Sequence, residues 1–210
     1  MKLLTIPVGM LGTNCYILAS EEKNCVTIDP GAQPERLAGE ITKNGWNLRH
    51  ILLTHGHHDH IGGVKKLMEA FPEADLYIGE GDAEMLADSS KSLAAFRYDD
   101  DGDFLLKNVK TLKEGDTIAL DELTFQVLET PGHTKGGVCY LCADQIFAGD
   151  TLFAGDVGRT DLYGGDYQQL KASLAKLAAL KGNYKVYPGH GDSTTLEEER
   201  RNNPYVNGRL

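Results

Sequence analysis

The sequence contains no apolar run that approaches the roughly 20 residues of a membrane-spanning helix. Basic runs are also missing, since no more than two Lys or Arg residues are adjacent. Asp and Glu number 31 against 21 Lys and Arg, which gives a formal net charge of -10. Because an acidic surface repels a phosphate backbone, we do not expect a nucleic acid as a partner. Because no apolar run is long enough to span a bilayer, we do not expect a membrane as a partner either.

Cysteine is scarce as well, with four residues, and residues 1–7 are too short and too interrupted to predict a signal peptide. Free thiols and a cytoplasmic location are therefore expected. Hydrophobic residues make up 41% and charged residues 25% of the chain, as in ordinary globular proteins. A chain of 210 residues can fold without a disulfide or a metal ion. We expect a single domain over residues 1–210.

Hydrophobic spacing predicts short strands that alternate with helices. Apolar runs predict strands at 15–18, 25–28, 50–54, 75–78, 116–120, 123–129, 138–141, 145–148 and 185–187. Apolar residues three or four apart predict helices at 34–44, 61–71, 82–87 and 195–202, and between Asp166 and Gly182. Residues 88–108 have no clear period and predict a surface loop. This order predicts an α+β fold in which two mixed β-sheets pack face to face with helices outside.

Cys139 and Cys142 form a Cys-x-x-Cys pattern, which is typical of metal and redox sites. The pattern lies in a predicted strand, however, and residues three apart on a strand point to opposite faces. We therefore expect both thiols to pack in the core and not to bind a metal together.

Histidine is concentrated in one short segment. Five of the seven histidines lie between residues 50 and 60, directly after a predicted buried strand. Imidazoles beside a carboxylate are the ligands that borderline divalent metals prefer. His55 and His57, two apart at a strand end, would point the same way. Asp59 and His60 would face a second point nearby, so two metals could share one pocket.

Three further candidate ligands follow predicted strands in the same manner. His133 comes after the strand that ends near Glu129, Asp150 after the strand at 145–148, and His190 after the strand at 185–187. Each of them lies beside a glycine. Since open α/β layers place their sites at the carboxyl ends of strands, we expect these side chains to meet the histidine cluster.

This arrangement resembles the metallo-β-lactamase superfamily over nearly the whole chain, with His-x-His-x-Asp-His as its signature. The resemblance implies an αβ/βα four-layer sandwich with two divalent metal ions at one edge, most simply Zn, with Fe or Mn as alternatives. His50 and His58 are not expected to be ligands. The implied ligands are His55, His57 and His133 for the first metal, Asp59, His60 and His190 for the second, and Asp150 as a bridge between them.

Within the superfamily, several segments resemble a short, single-domain form of the glyoxalase II-like group, the hydroxyacylglutathione hydrolases. Because only 20 residues follow His190, no C-terminal helical glutathione-binding domain is expected. Arg159 matches a basic position that holds glutathione in two-domain members, whereas Asp161 stands where their site has a tyrosine. The segments are 13–16, 149–153, 158–161, 189–192, 197–200 and 203–205.

The resemblance implies hydrolysis of a thioester such as a hydroxyacylglutathione. A hydroxide that bridges the metals would attack, and Asp59 or Asp150 would take the proton. One alternative is a persulfide dioxygenase with a single iron held by His55, His133 and Asp150. Further alternatives are a lactonase and a metal-binding protein with a degenerate site. The substrate is in each enzymatic case a small molecule, and the sequence does not choose between a monomer and a homodimer.

Overall fold

The computed structural model describes residues 1–96 and 109–208. Two six-stranded mixed sheets pack face to face, and helices cover their outer faces, which confirms the predicted architecture. None of the helices in these two ranges is long and apolar enough to cross a membrane. The expected surface loop at 88–108 falls partly on residues 97–108, which lie outside the described residues. Its first part packs against the protein, since Ser92 and Ala94 are buried.

The first sheet has its strands in sequence order, with β1 to β3 antiparallel and β3 to β6 parallel. Parallel β3, β4 and β5 therefore end at the same edge. The strands are β1 (Lys2–Val8), β2 (Thr13–Ala19), β3 (Asn24–Ile28), β4 (Asn47–Leu52), β5 (Asp75–Gly79) and β6 (Val109–Leu112).

The second sheet has the order β12-β11-β10-β9-β8-β7. Its β8 and β10 are both antiparallel to β9, and β11 is parallel to β10, so β8, β10 and β11 run in one direction. The strands are β7 (Thr117–Leu120), β8 (Leu123–Glu129), β9 (Val138–Cys142), β10 (Gln145–Gly149), β11 (Lys185–Pro188) and β12 (Thr194–Thr195).

Helices cover the outer faces, and a 3-10 helix spans Glu80–Ala87. The α-helices are α1 (Pro34–Lys43), α2 (His58–Ile61), α3 (Val64–Ala70), α4 (Tyr167–Ala178) and α5 (Leu196–Asn202), and a short 3-10 helix spans Ala94–Phe96.

The ends of α1 and α4 agree with the sequence signals. After α1, the Gly45 N–H bonds the Thr42 carbonyl and the Trp46 N–H bonds the Ile41 carbonyl, which is a Schellman ending. Gly45 adopts the positive φ of 67° that this ending needs. At the start of α4, the Asp166 carboxylate accepts from the N–H groups of Gln168 and Gln169.

Three predicted elements differ from the structure. The helix expected at 61–71 is shorter and forms α3 at Val64–Ala70, because the Gly63 N–H donates to the Pro30 carbonyl at 2.9 Å and not to a carbonyl one turn earlier in the chain. The helix expected at 82–87 is part of a 3-10 helix. The strand expected at 50–54 ends at Leu52, since the Thr54 N–H bonds a carboxylate and not the next strand.

The cysteines occupy the positions expected of strand residues. Cys139 packs in the outer cluster beneath α4 and α5, and Cys142 packs in the cluster between the sheets. The two thiols therefore point to opposite faces of β9, which confirms the prediction that both pack in the core. Cys15 and Cys25 are buried beneath α1 and α3. All four thiols are free.

Candidate metal centre

The predicted ligands converge at the edge where the two sheets meet. His133, Asp150 and His190 follow β8, β10 and β11, which end at that edge, while residues 55–60 follow β4 of the opposite sheet. Hydrogen bonds join the sheets there: the Val138 N–H donates to the Thr54 carbonyl at 2.8 Å, and the Asn14 N–H donates to the Gly189 carbonyl at 2.7 Å. The sheet edges are thereby held together on both sides of the cluster.

The first group of side chains is formed by His55, His57 and His133, whose candidate ligand atoms all lie within 4.8 Å of one another. His57 Nδ1 and His133 Nε2 are 2.9 Å apart. Two ligands of one zinc ion, each about 2.0–2.1 Å from it, lie roughly 3–3.4 Å apart. All three residues are buried. The group therefore has the size of one metal site.

His55 and His57 point to the same group, as expected, but the reason expected from the sequence is wrong. Both lie in the loop after β4, which ends at Leu52, so strand alternation does not aim them. His57 has an extended backbone and directly precedes α2. The path of the loop into that helix brings the two imidazoles together.

The second group is formed by Asp59, His60 and His190. Asp59 Oδ2 is 3.2 Å from His190 Nε2 and 3.5 Å from His60 Nε2. Asp59 and His60 lie in the single turn of α2, and His60 is completely buried. This second group again has the size of one metal site.

Asp150 lies between the two groups. Its Oδ1 is 3.4 Å from His60 Nε2 in the second group, and its Oδ2 is 3.6 Å from His133 Nε2 in the first. Oδ2 is also 3.5 Å from His190 Nε2. One carboxylate therefore contacts imidazoles of both groups, as a bridging ligand would.

Hydrogen bonds leave the Nε2 atoms of four imidazoles available. An Nδ1–H that donates to an acceptor leaves the lone pair on Nε2. His60 Nδ1 bonds Asp29 Oδ2, and His133 Nδ1 bonds the Arg159 carbonyl at 2.7 Å. His190 Nδ1 bonds the Leu11 carbonyl, and His55 Nδ1 bonds the hydroxyl of Thr54.

Buried atoms without a hydrogen-bond partner are concentrated in this cluster. Among the described residues they include Nε2 of His55 and His60, and Oδ1 of Asp150. Buried polar atoms are almost always partnered, so such a concentration calls for an electron-pair acceptor that the protein does not itself supply. The donor set of imidazoles and carboxylates therefore fits divalent metal ions.

The electrostatics of the cluster favour a cation. Burial and the neighbouring imidazoles lower the pKa of His55, and the same two causes lower the pKa of His57 to about 3. Burial opposes ionisation of Asp59 and Asp150, but the imidazoles around them, led by His60, outweigh it and lower the pKa of both carboxyls. The neutral imidazoles of His55 and His57 and the ionised carboxylates of Asp59 and Asp150 are in the protonation states that metal ligands require.

The pKa of His60 also indicates that the cluster favours a positive charge. Burial alone would lower its pKa, but the carboxylates of Asp150, Asp59 and Asp29 outweigh burial and raise it. The surrounding carboxylates therefore attract positive charge to this point, whether it is a proton or a metal ion.

Asp29 is a residue of the centre that the sequence did not reveal. Its Oδ1 accepts from the Thr54 N–H at 2.8 Å, and its Oδ2 accepts from the Thr54 hydroxyl at 2.6 Å and from His60 Nδ1 at 2.9 Å. These bonds use both oxygens, so Asp29 orients His60 although it also groups with His55 and His60 as a possible ligand. The sequence signal that could have identified Asp29 is its position directly after β3. From the sequence alone, this position indicated only a turn.

The segment at 13–16 supports the second group. The Thr13 hydroxyl donates to Asp59 Oδ2 at 2.9 Å. The Asn14 side chain donates to the carbonyls of Pro188 and Gly191, on either side of His190. The Tyr16 hydroxyl also donates to the Pro188 carbonyl. This segment therefore holds both Asp59 and the loop that carries His190.

Arg159 joins the centre through its backbone, since its carbonyl accepts from His133 Nδ1. Its side chain is 62% exposed, and its guanidinium pairs with the Asp161 carboxylate through two hydrogen bonds of 2.7 Å. This bonding lowers the pKa of Asp161 to about 2. His50 and His58 belong to neither group of imidazoles; His50 instead bonds the Ala119 carbonyl.

Known proteins are similar to this chain in sequence and in fold. The model of the metallo-beta-lactamase superfamily matches residues 8–190. A hydroxyacylglutathione hydrolase named GloC from Haemophilus influenzae is 35% identical over 212 residues, which cover the whole of both chains.

Three solved structures are similar to this chain in fold as well as in sequence. The B3 metallo-beta-lactamase BLEG-1 is 32% identical with a TM-score of 0.91, and the match covers 98% of this chain and 99% of that one. TTHA1623 in a di-iron-bound form is 38% identical with a TM-score of 0.85, over 96% and 99%. ETHE1 from Myxococcus xanthus is 31% identical with a TM-score of 0.83, over 99% and 85%. The chain belongs to the metallo-beta-lactamase superfamily.

Proposed function

We propose that the protein is a dinuclear metal-dependent hydrolase that cleaves a thioester such as a hydroxyacylglutathione. The observation that carries this proposal is the position of Asp150, whose two oxygens lie 3.4 to 3.6 Å from imidazole nitrogens of both groups. The identity of 35% with GloC over the full length of both chains supports the choice of substrate. We also infer that residues 1–210 act as one domain.

The proposed ligands divide as the two groups do. Imidazole and carboxylate donors suit zinc, iron and manganese alike, so we propose zinc with iron or manganese as alternatives. The di-iron form of TTHA1623 supports an alternative to zinc. The first ion would be held by His55, His57 and His133, the second by Asp59, His60 and His190, and both by Asp150.

When bound, two divalent ions polarise a carbonyl and make hydroxide available near neutral pH. The proton acceptors would be Asp59 and Asp150, whose side chains are 15% and 12% exposed and so remain in reach of water. The bond from the Thr13 hydroxyl holds the Asp59 carboxylate in place. Hydrolysis adds water across the C–S bond and releases a carboxylic acid and a thiol.

The cysteines do not offer a competing nucleophile. Burial raises the pKa of Cys25 to about 12 and the pKa of Cys139 to about 11. Burial also raises the pKa of Cys15 and Cys142. Because the thiolate is the reactive form, none of the four suits covalent catalysis at neutral pH.

Metal analysis of the purified chain together with four activity assays tests this proposal. We expect about two metal ions per chain and metal-dependent hydrolysis of a hydroxyacylglutathione. The other three assays measure persulfide-dependent oxygen uptake, lactone hydrolysis and β-lactam hydrolysis. The β-lactam assay is included because BLEG-1 has the same fold. A metal-loaded protein that leaves the thioester intact would contradict the proposal.

A persulfide dioxygenase is the second candidate. The three side chains that it needs also lie together, since His55 and His133 belong to one group and Asp150 is 3.6 Å from His133. One iron per chain with oxygen uptake on a persulfide would favour this candidate. Bound metal without any of the four activities would favour a metal-binding protein with a degenerate site.

Arg159 is proposed to bind the glutathione part of the substrate and not to act in the chemical step. Its pairing with Asp161 is exposed to water, where such pairs are weak, so a substrate carboxylate can replace Asp161. We expect Arg159→Ala to raise KM for a glutathione thioester about tenfold with kcat little changed, because the contact is equally strong before and during reaction.

Two comparisons sharpen the Arg159 experiment. A thioester with the same acyl group on a neutral thiol should show no change in KM. Asp161→Asn should lower KM for the glutathione thioester, because it frees the guanidinium. Equal losses on both thioesters, or a fall in kcat alone, would show that Arg159 does not recognise the thiol carrier.

A further inference from the structure

The first imidazole group is assembled from two loops that belong to different sheets. His55 and His57 lie in the loop after β4 of the first sheet, whereas His133 lies in the loop after β8 of the second. A metal site needs its ligand atoms fixed to within a few tenths of an ångström. Some contact must therefore set the distance between these loops.

Asp82, in the 3-10 helix that follows β5, bonds both loops. Its Oδ2 accepts from the Gly56 N–H at 3.0 Å, and Gly56 is the residue between His55 and His57. The same oxygen accepts from the Thr134 hydroxyl at 2.7 Å, next to His133. Its Oδ1 accepts from the Gly136 N–H at 2.7 Å. Asp82 is completely buried, so water does not compete for these bonds.

Glycines allow this close approach. A Cβ on Gly136 would lie 2.1 Å from the Asp82 backbone nitrogen, and a Cβ on Gly81 would lie 2.8 Å from the Gly136 Cα. A Cβ on Gly79 would lie 2.1 Å from the Gly136 carbonyl oxygen. The backbones of 79–82 and 136 therefore touch without side chains between them, which fixes the Asp82 carboxylate against the loop of His133.

From these contacts we infer that Asp82 is a positioning residue that holds His55 and His57 at the correct distance from His133, and thereby supports metal binding by the first group only. The inference rests on the proposed metal centre. The second group has its own support, because Asp29 bonds His60 and Thr13 bonds Asp59. Loss of Asp82 should therefore affect the two groups unequally.

Asp82→Asn is the decisive substitution because it preserves the size of the side chain but cannot preserve all three hydrogen bonds. The carboxylate receives backbone N–H groups on both oxygens, from Gly56 and Gly136. An asparagine must turn its NH2 group towards one of these two donors, whichever way the amide is oriented. In either orientation the NH2 group then faces the N–H group of Gly56 or of Gly136, and these two donors repel each other.

The experiment measures zinc affinity by chelator competition in chains that keep only one complete group. His190→Ala keeps His55, His57 and His133, whereas His57→Ala keeps the second group. We expect Asp82→Asn to weaken zinc binding about 10- to 100-fold in the His190→Ala chain. In the His57→Ala chain we expect a change of less than about threefold, since Asp82 does not contact the second group.

Two further variants keep the inference open to contradiction. Thr134→Val removes one donor and should weaken zinc binding in the same chain by a smaller factor, which decides the matter if Asp82→Asn does not fold. Asp121→Asn is the matched control, because Asp121 accepts from Ser20 and Asn24 in hairpin turns and should leave zinc affinity unchanged.

Equal weakening in both one-group chains, or unchanged affinity in the His190→Ala chain, would overturn the role of Asp82. The unsubstituted chain distinguishes this result from a failure of the proposed function. If the unsubstituted chain binds two zinc ions while Asp82→Asn has no selective effect, only the role of Asp82 is wrong. If it binds none, the proposed metal centre and the role of Asp82 fail together.

Discussion

Asp150→Asn should lower the activity about a thousandfold or more and remove much of the bound metal, because one side chain contacts both groups. Asparagine has one oxygen and no charge, so it cannot join two cations as a carboxylate does. The fold should persist, since the core between the sheets and the two outer clusters form without Asp150. Metal content, kcat and circular dichroism measure the three effects.

The matched control for Asp150→Asn is Asp144→Asn, in the exposed turn between β9 and β10, which should change none of the three quantities. Full metal content and full rate in Asp150→Asn would exclude a bridging role. Loss of the folded structure in that variant would show that the carboxylate supports the fold itself.

The convergence of the candidate site could be predicted because each of its parts follows a strand. His133, Asp150 and His190 come after β8, β10 and β11, and strands that run in one direction end at one edge. The dense cluster of histidines after β4 supplied the other half. The order of strands and candidate ligands along the chain was therefore enough to predict which side chains meet at the site.

The residues that support these side chains could not be predicted in the same way. Asp29 bonds residues 25 and 31 positions away, and Asp82 bonds residues 26 to 54 positions away. In the sequence Asp29 is a turn residue before a proline, and Asp82 is one acid in a predicted helix. Their roles depend on the distance between sheets, which no local pattern records.

The limits of the fold prediction have a similar cause. Hydrophobic spacing continues from 61 to 71, but the Gly63 N–H bonds the Pro30 carbonyl and the helix α3 begins only at Val64. The strand signal likewise continues through Leu53 and Thr54, but the Asp29 carboxylate takes the Thr54 N–H from the ladder. In both places a tertiary contact overrides a local preference.

Gly189→Ala should lower the activity about a hundredfold or more through a purely steric effect on the centre. A methyl group on Gly189 would lie 2.1 Å from Asp150 Oδ1 and 2.7 Å from His60 Cε1. The backbone cannot withdraw easily, since the Gly189 N–H bonds the Gly149 carbonyl and the Gly189 carbonyl accepts from the Asn14 N–H, each at 2.7 Å. The Asp150 carboxylate must therefore move, and a ligand displaced by about 1 Å can cost two orders of magnitude in rate.

Gly39→Ala separates this steric effect from the general effect of adding a methyl group. Gly39 is exposed on α1, and a Cβ there would meet nothing within 4 Å. Alanine in a helix should raise the free energy of unfolding by about 0.5–1 kcal/mol and leave metal content and kcat unchanged. Gly189→Ala should instead bind less metal while keeping its circular dichroism spectrum. The Asp150 carboxylate can move more easily than the Gly189 backbone, which is hydrogen-bonded to Gly149 and Asn14. If Gly189→Ala retained full metal and full rate, the Asp150 carboxylate would not need its present position, and the bridging role proposed for it would be wrong.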